Sequence, residues 1–455
     1  MVEATMHFPP GFRWGTATAA HQVEGNNTNN DWYAWEQGEG HIAGGQKSDL
    51  ACDWWNNAEA DLERAAAMGQ NAHRMSVEWS RIEPNEGKWD DAAIDRYRQM
   101  LRFMRERGIE PMVTLHHFTT PLWLAERGGW ENPDIIPRFE RFAVKVAQSL
   151  GEFCDVWCTI NEPLIYAVLG WLTGAPRGET HHQTTFPPGK HDMDLTLQVA
   201  ENLFLGHGAA YYAVHRAQPK ARVGAVHNLG YFQPLHPNSP LDQFVVGVRE
   251  RLMNRAGLEA TLKGRILRVI GSRRVRELAN TSDFIGLNYY SRTVLTFEPS
   301  SPGTAFARDV LLPGAEISDL NYGEVYPEGI FHSLKRASRY GKPIYITENG
   351  LPDADDDRRP AFLITHMRQV WKAINQNVPV MGYYHWTLVD NFEWAEGWNL
   401  RFGLVELNPE TQERKLRRSG ELYSEICKAN SVTSDMVRRY TPELMSSLFP
   451  GEDVV

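Results

Sequence analysis

Cysteine is scarce: four in 455 residues are too few for a disulfide framework. Cys154 and Cys158 would stand roughly 13 Å apart in an extended segment, beyond bridging distance, and read as core thiols. Lys and Arg are outnumbered, 47 against 57 Asp and Glu, for a formal net charge of -10. A phosphate-backbone partner needs clustered cations, so nucleic acid is excluded. No apolar run approaches the ~18 to 20 residues that a membrane crossing needs, and MVEATMHFPPGF lacks the cationic, apolar, then small-residue order of a signal peptide. A cytoplasmic protein with no membrane partner is expected. The histidines include the pairs His116-His117 and His181-His182, but neither has zinc spacing, and H-E-x-x-H and C-x-x-C are both missing. There is no G-x-G-x-x-G after a strand and no Walker loop. Neither a metal nor a cofactor is expected.

What is present is an alternation. Short apolar runs occur at 12–20, 71–79, 109–118, 154–163, 221–229, 282–290, 343–350 and 378–388. Helical spacing fills most of the intervals, including 56–68, 91–107, 135–150 and 194–217, the last opening on Asp194. A polar loop, DADDDRRP, follows the run at 343–350 and leads into a helix with Pro360 in its first turn. Strands alternating with helices predict a parallel sheet. The pattern alone counts six to nine units; eight, with near-continuous apolar strands, favour a closed (β/α)8 TIM barrel with elaborated βα loops over an open doubly wound sheet. No linker or low-complexity tract divides the chain, so one domain over 1–455 is expected, with about 430–455 as a C-terminal extension. Packing on the barrel exterior, an oligomer contact and loose attachment are all open to that extension.

Polarity falls late in each run: His21 and Gln22, Arg74, His117, Asn161 and Glu162, Asn228, Asn288 and Tyr290, Glu348, Trp386. In a barrel the strand carboxyl ends share one face, so these side chains would converge there. Two runs end on Glu, in TINEP and ITENG, at positions 162 and 348. Only the fold can bring them together. Carboxylates flanking a sugar bond are the machinery of glycoside hydrolysis: one protonates the departing oxygen, and the other attacks the anomeric carbon or activates water. An isolated strand-end Glu is ordinarily half of a surface ion pair; two of them, each beside Asn at a barrel mouth, point to catalysis.

From FRWGTATAAHQVEG through WSRIEP, TLHHFTTPLWL, TINEP, DFIGLNYYS and YITENG to YYHWTLVDNFEWAEGWNLRFGL, about residues 8–425, the chain closely resembles the β-glycosidases of glycoside hydrolase family 1. The resemblance implies a (β/α)8 enzyme that removes terminal β-D-glucosyl residues, and also β-D-galactosyl and fucosyl residues, from β-glucosides and cello-oligosaccharides. It further implies retention through a covalent glycosyl-enzyme, with Glu162 as acid/base and Glu348 as nucleophile. Arg74, Tyr290 and Asn288 would support the nucleophile. Gln22, His117, Asn161 and Glu393 would bond the sugar, and Trp386, Trp394 and Phe402 would offer ring faces to it. Trp123 and Trp171 would lie toward the leaving group, while Glu24, Glu78 and Glu396 read as structural acids.

Relatives acting on 6-phosphorylated sugars carry small and basic residues where this chain has Glu393 and Trp394. A carboxylate there repels phosphate, so the expected substrate is a neutral small-molecule β-glycoside. Asn399, Leu400 and the loop 174–192 depart from the family pattern and bear on aglycone preference. A transglycosylase, an inverting hydrolase with more widely spaced carboxylates, and a non-catalytic carbohydrate-binding protein are the alternatives. Monomer and homo-oligomer both stay open.

Overall fold

Eight parallel strands hydrogen-bond in chain order until the last meets the first. They are β1 Arg13–Ala17, β2 Ala72–Ser76, β3 Glu110–His116, β4 Val156–Asn161, β5 Arg222–Asn228, β6 Ile285–Asn288, β7 Ile344–Asn349 and β8 Val380–Trp386. The computed structural model describes residues 4–173, 185–301 and 304–450, so His181-His182 and residues 174–184 of the expected loop lie outside the described residues. All eight apolar runs are barrel strands, each shorter at its ends than the sequence pattern.

The outer ring follows from the helical spacing: α1 Trp54–Ala67, α2 Asp91–Glu106, α3 Ile135–Leu150, α4 Met193–Ala217, α5 Ala256–Lys263, α6 Pro327–Ser338, α7 Arg359–Ile374 and α8 Arg418–Ala429. In α2, Ala93, Ile94, Tyr97, Met100, Leu101 and Met104 are buried at three- and four-residue intervals, and Asp90 caps the helix by accepting from Ala93 N at 2.9 Å. The cap of α4 is Asp192, which accepts from Leu195 N at 2.9 Å; Asp194 instead lies in the first turn. Strands covered by helices outside and side chains inside have no solvent face. That is why β2 and β7 are buried at every residue, and why the runs read as continuously apolar.

Among the described residues the core falls into two large apolar clusters, one chiefly beneath α1 to α4 and the other chiefly beneath α5 to α8, with a small third around Val245, Leu295 and Ala307. The segment after residue 430 joins the second. Ser431–Thr433 pairs antiparallel with Thr5–His7, and Val432, Met436, Val437, Met445, Leu448 and Phe449 are buried there. It is packed on the barrel exterior.

The acidic loop after β7 is split: Asp355 and Asp357 are exposed, whereas Asp353 and Asp356 turn inward. Asp353 is fully buried and accepts from the backbone N of Arg358 (3.0 Å) and of Arg359 (2.9 Å), filling orphan donors at the start of α7. Leu400, which departs from the family pattern, is buried.

Candidate active site

Glu348 sits one residue from the end of β7. Between β6 and β7 the register slips: Leu287 faces Ile346 but Asn288 faces Glu348, leaving Thr347 as an extra residue. Such a bulge re-aims a side chain. Gly350, two residues on, passes so close to β8 that any Cβ would run into the Trp386 carbonyl oxygen. The glycine of T-E-N-G is therefore a packing requirement behind the carboxylate.

Both oxygens of Glu348 accept hydrogen bonds. Arg74 Nη1 donates to Oε1 at 2.5 Å, and the Tyr290 hydroxyl donates to Oε2 at 2.6 Å. Arg74 is 1% exposed; its Nε donates to Thr114 Oγ1 (3.0 Å), its Nη2 to Asn161 Oδ1 (2.7 Å), and its Nη1 also to Thr347 O (3.4 Å). A guanidinium taken so fully out of water requires a compensating anion, and Glu348 is the carboxylate it touches.

Glu162 follows β4 in the left-handed region (φ 43°) and opens a short helix, Pro163–Trp171. For a residue with a Cβ this conformation costs on the order of 1 kcal/mol, the kind of local strain that clusters at functional sites. Its N–H is fixed by Val226 O at 2.9 Å. Its Oε1 accepts from Asn288 Nδ2 at 2.6 Å and from Asn228 Nδ2 at 3.0 Å. Burial, and then the charge of Glu348, push the Glu162 carboxyl well above its ordinary range; the two amides and Arg74 pull more weakly the other way. Three strand spacings, about 14 Å of barrel wall, separate the strands that carry the two acids, and Glu162 feels the charge of Glu348 across the mouth.

Asn288 does not join the nucleophile candidate as expected. Arg74 and Tyr290 already hold both Glu348 oxygens, and the Asn288 amide reaches Glu162 instead while its own oxygen accepts from Thr347 Oγ1 at 2.7 Å. The residues expected to bond a sugar lie in the same network. Asn161 donates to His117 Nε2 at 3.2 Å, so the imidazole proton is on Nδ1, a buried atom with no protein partner among the described residues. Burial, then Arg74, keep that ring neutral. Gln22 donates through Nε2 to Phe392 O (2.9 Å) and Glu393 Oε2 (3.1 Å), and its Oε1 is also unpartnered among the described residues. Burial, then Glu348, raise Glu393 to about 8.

The aromatic residues divide. The ring of Trp386 lies 6.0 Å from that of His117, and Trp394 stacks beside His21 at 5.9 Å and near Phe118 at 5.3 Å. Phe402 is fully buried, edge-on to Tyr290 (6.1 Å) and Tyr322 (5.4 Å), so it backs the tyrosines and has no open face. Trp123 and Trp171, expected toward the leaving group, are each anchored through the indole N–H. The indole of Trp123 donates to Glu83 O (3.0 Å) and that of Trp171 to Glu131 Oε1 (2.7 Å), which fixes them among helices. Glu24 is tied to Arg81 and Tyr97, and Glu78 to Ser80 and Thr119.

The sequence profile of glycosyl hydrolase family 1 matches residues 4–432. The chain belongs to that family. It is 32% identical to "Beta-glucosidase A" of Thermotoga maritima over 458 aligned residues, covering 93% of this chain and 98% of that one. It is also 32% identical to a "Beta-galactosidase" of Pyrococcus woesei, covering 94% and 98%. Among solved structures, the beta-glycosidase from Pyrococcus horikoshii superposes with a TM-score of 0.88 at 36% identity, over 97% of this chain and 100% of that one. The beta-glucosidase from Thermotoga maritima in complex with glucoimidazole gives 0.85 at 31%, over 94% and 100%. The protein is a family 1 glycoside hydrolase.

In this family 1 enzyme the structure adds a residue that the sequence did not single out. Tyr322 lies edge-on to Tyr290 at 5.9 Å, and the residue as a whole is 41% exposed. Desolvation of its hydroxyl, then the charges of Glu393, Glu162 and Glu348, push that group well above the usual range. Nothing in DLNYGEV marks it; only the folded loop does. Among the described residues, carboxylates of Asp353, Asp355 and Asp357 come within 4.8 Å of one another, but on the loop behind β7, where Asp353 already serves α7.

Tyr290→Phe tests the donor set of Glu348. A hydrogen bond to a charged group is worth ~1.5 to 3 kcal/mol, so kcat/KM on an aryl β-glucoside is expected to fall roughly 10- to 100-fold with the melting temperature little changed. A loss below twofold would show that the phenol does not support this carboxylate.

Proposed function

We propose that the protein is a retaining β-glycosidase that releases terminal β-D-glucosyl, β-D-galactosyl and β-D-fucosyl residues by double displacement. The observation that carries this reading is the opposite treatment of two neighbouring carboxylates. Glu348 is matched with a buried guanidinium, whereas Glu162 is held toward its protonated form by burial and by Glu348. One is dressed as a nucleophile and the other as an acid.

In the first step a Glu348 oxygen bonds to the anomeric carbon as the glycosidic C–O bond breaks. The bonding pair leaves with the aglycone oxygen, which takes the proton of Glu162. Esterification removes the charge of Glu348, so the second-largest cause of the raised Glu162 pKa disappears and Glu162 can act as base. It then takes a proton from water, whose oxygen attacks the same carbon and frees Glu348. Asn161, His117, Gln22 and Glu393 would hold sugar hydroxyls. The unpartnered Nδ1–H of His117 and Oε1 of Gln22 support that placement as one free donor and one free acceptor.

Glu393, held toward its protonated form, offers a phosphate no positive charge, which favours a neutral sugar, and the relative in Thermotoga neapolitana named "1,4-beta-D-glucan glucohydrolase", 31% identical, supports β-1,4-linked glucans such as cello-oligosaccharides. Nitrophenyl β-glycosides with gluco, galacto, fuco and 6-phospho groups test the reading. Turnover of the first three and at least a 100-fold deficit on the last are expected; preference for the phosphorylated sugar would contradict it. Among the described residues no helix is long and apolar enough to cross a membrane, and the four cysteines are buried free thiols, which supports a cytoplasmic setting.

The pH dependence has a definite sign. Activity requires protonated Glu162, so kcat/KM is expected to fall as pH rises through a value well above the ordinary carboxyl range. In Glu348→Gln the charge of Glu348 is gone, and infrared titration of Glu162 is expected to show its pKa lowered relative to the parent. An unmoved pKa would mean that the two acids do not share one mouth.

A further inference from the structure

Hydrogen-bond polarity can be followed residue by residue from one carboxylate to the other. A guanidinium only donates, so Asn161 must turn its oxygen to Arg74 Nη2 (2.7 Å), leaving its nitrogen for His117. Asn288 approaches that same Asn161 oxygen at 3.4 Å, which obliges it to present Nδ2; its own oxygen is turned to Thr347 Oγ1. The Nδ2 thus fixed also donates to Glu162 Oε1 at 2.6 Å, where Asn228 Nδ2 joins it at 3.0 Å. An oxygen accepting two N–H donors is the carbonyl-like oxygen of a carboxylic acid and has no room for a proton of its own. The other oxygen, Oε2, has no hydrogen bond to the described residues and is not among the atoms sealed from solvent without a partner.

We propose that Asn228 and Asn288 are positioning residues that confine the transferable proton of Glu162 to Oε2, the oxygen facing the open site, with Arg74 setting the polarity of the chain. This rests on the acid role proposed for Glu162. In the forward step the O–H bond of Oε2 breaks, the proton goes to the glycosidic oxygen, and the negative charge left on the carboxylate is met at Oε1 by two amides already in place. The same arrangement that aims the acid therefore stabilises its conjugate base, with no reorganisation between the two half-reactions.

Asn228 is the residue through which to test this, because its amide has no other hydrogen-bond partner among the described residues, whereas Asn161 and Asn288 are shared with the arginine chain. The titratable and charged groups that face Glu162 are Glu348 on β7, Arg74 on β2, Tyr290 after β6, and Tyr322 from the loop before α6. All are kept in the variants. Asn228→Ala removes one donor to the charged form, and the isosteric Asn228→Asp replaces it with an acid.

The experiment measures kcat/KM against pH for phenyl and 2,4-dinitrophenyl β-glucosides with the parent, both Asn228 variants and Glu162→Gln, folding being checked by near-ultraviolet circular dichroism. The alkaline limb is expected to move up by roughly half to one pH unit in Asn228→Ala and further in Asn228→Asp. Asn228→Ala is also expected to lose about tenfold more on the phenyl substrate, which needs the proton, than on the dinitrophenyl substrate, which does not. A merely structural role would depress both substrates alike and leave the limb in place, and that result would overturn the proposal. Near-parent phenyl glucosidase activity in Glu162→Gln would overturn the acid assignment itself, so the two failures are distinguishable.

Discussion

Glu348→Gly is expected to lower turnover of aryl β-glucosides by roughly 10⁴- to 10⁶-fold, the scale on which removal of a covalent nucleophile acts. Two effects combine. The bond-forming atom is lost, and Arg74, 1% exposed, is left without the carboxylate it donates to. Breaking a buried ion pair from one side costs about 3–5 kcal/mol, so a drop in melting temperature should accompany the loss, and Glu348→Gln, which keeps an acceptor near Arg74, should soften that drop while staying inactive. The space freed by glycine admits a small anion beneath the sugar. With azide and a reactive glycosyl donor, the product is then expected to be the α-glycosyl azide, from one displacement instead of two. Hydrolysis near the parent rate would remove Glu348 from the chemistry.

Glu162→Ala is expected to behave differently, and the difference separates the two acids. Without a proton donor, glycosylation by substrates with poor leaving groups should slow by roughly 10²- to 10⁴-fold, while a dinitrophenyl glucoside still transfers its sugar to Glu348. The glycosyl-enzyme then accumulates, because no base activates water. Azide needs no such help and should release the β-glycosyl azide, net retention. An α product from this variant, or equal losses across leaving groups, would reverse the assignments.

Much of this site was legible because barrel strands obey a simple rule: apolar where buried on two faces, polar where the chain leaves the wall. Arg74, Asn161, Glu162 and Glu348 all lie at or near such ends. Less legible was the direction a terminal side chain takes once its neighbours have chosen partners. Asn288 faces Glu348 in register yet bonds Glu162, since Arg74 and Tyr290 occupy both oxygens of Glu348. Phe402 looks like a sugar platform in sequence, but the close passage at Gly350 brings it to within 3.3 Å of where a Cβ would stand, behind the tyrosines. Tyr322 carries no motif and comes to the mouth only because the loop before α6 folds over it.

The most direct measurement is to trap the enzyme with 2-deoxy-2-fluoro-β-D-glucosyl fluoride and locate the added mass by peptide sequencing in a mass spectrometer. Electron withdrawal at C2 slows both displacements, but the good leaving group lets the first proceed, so the sugar is expected to remain esterified to Glu348 in the peptide containing YITENG. A label on any other residue, or inactivation with no label at all, would contradict the account.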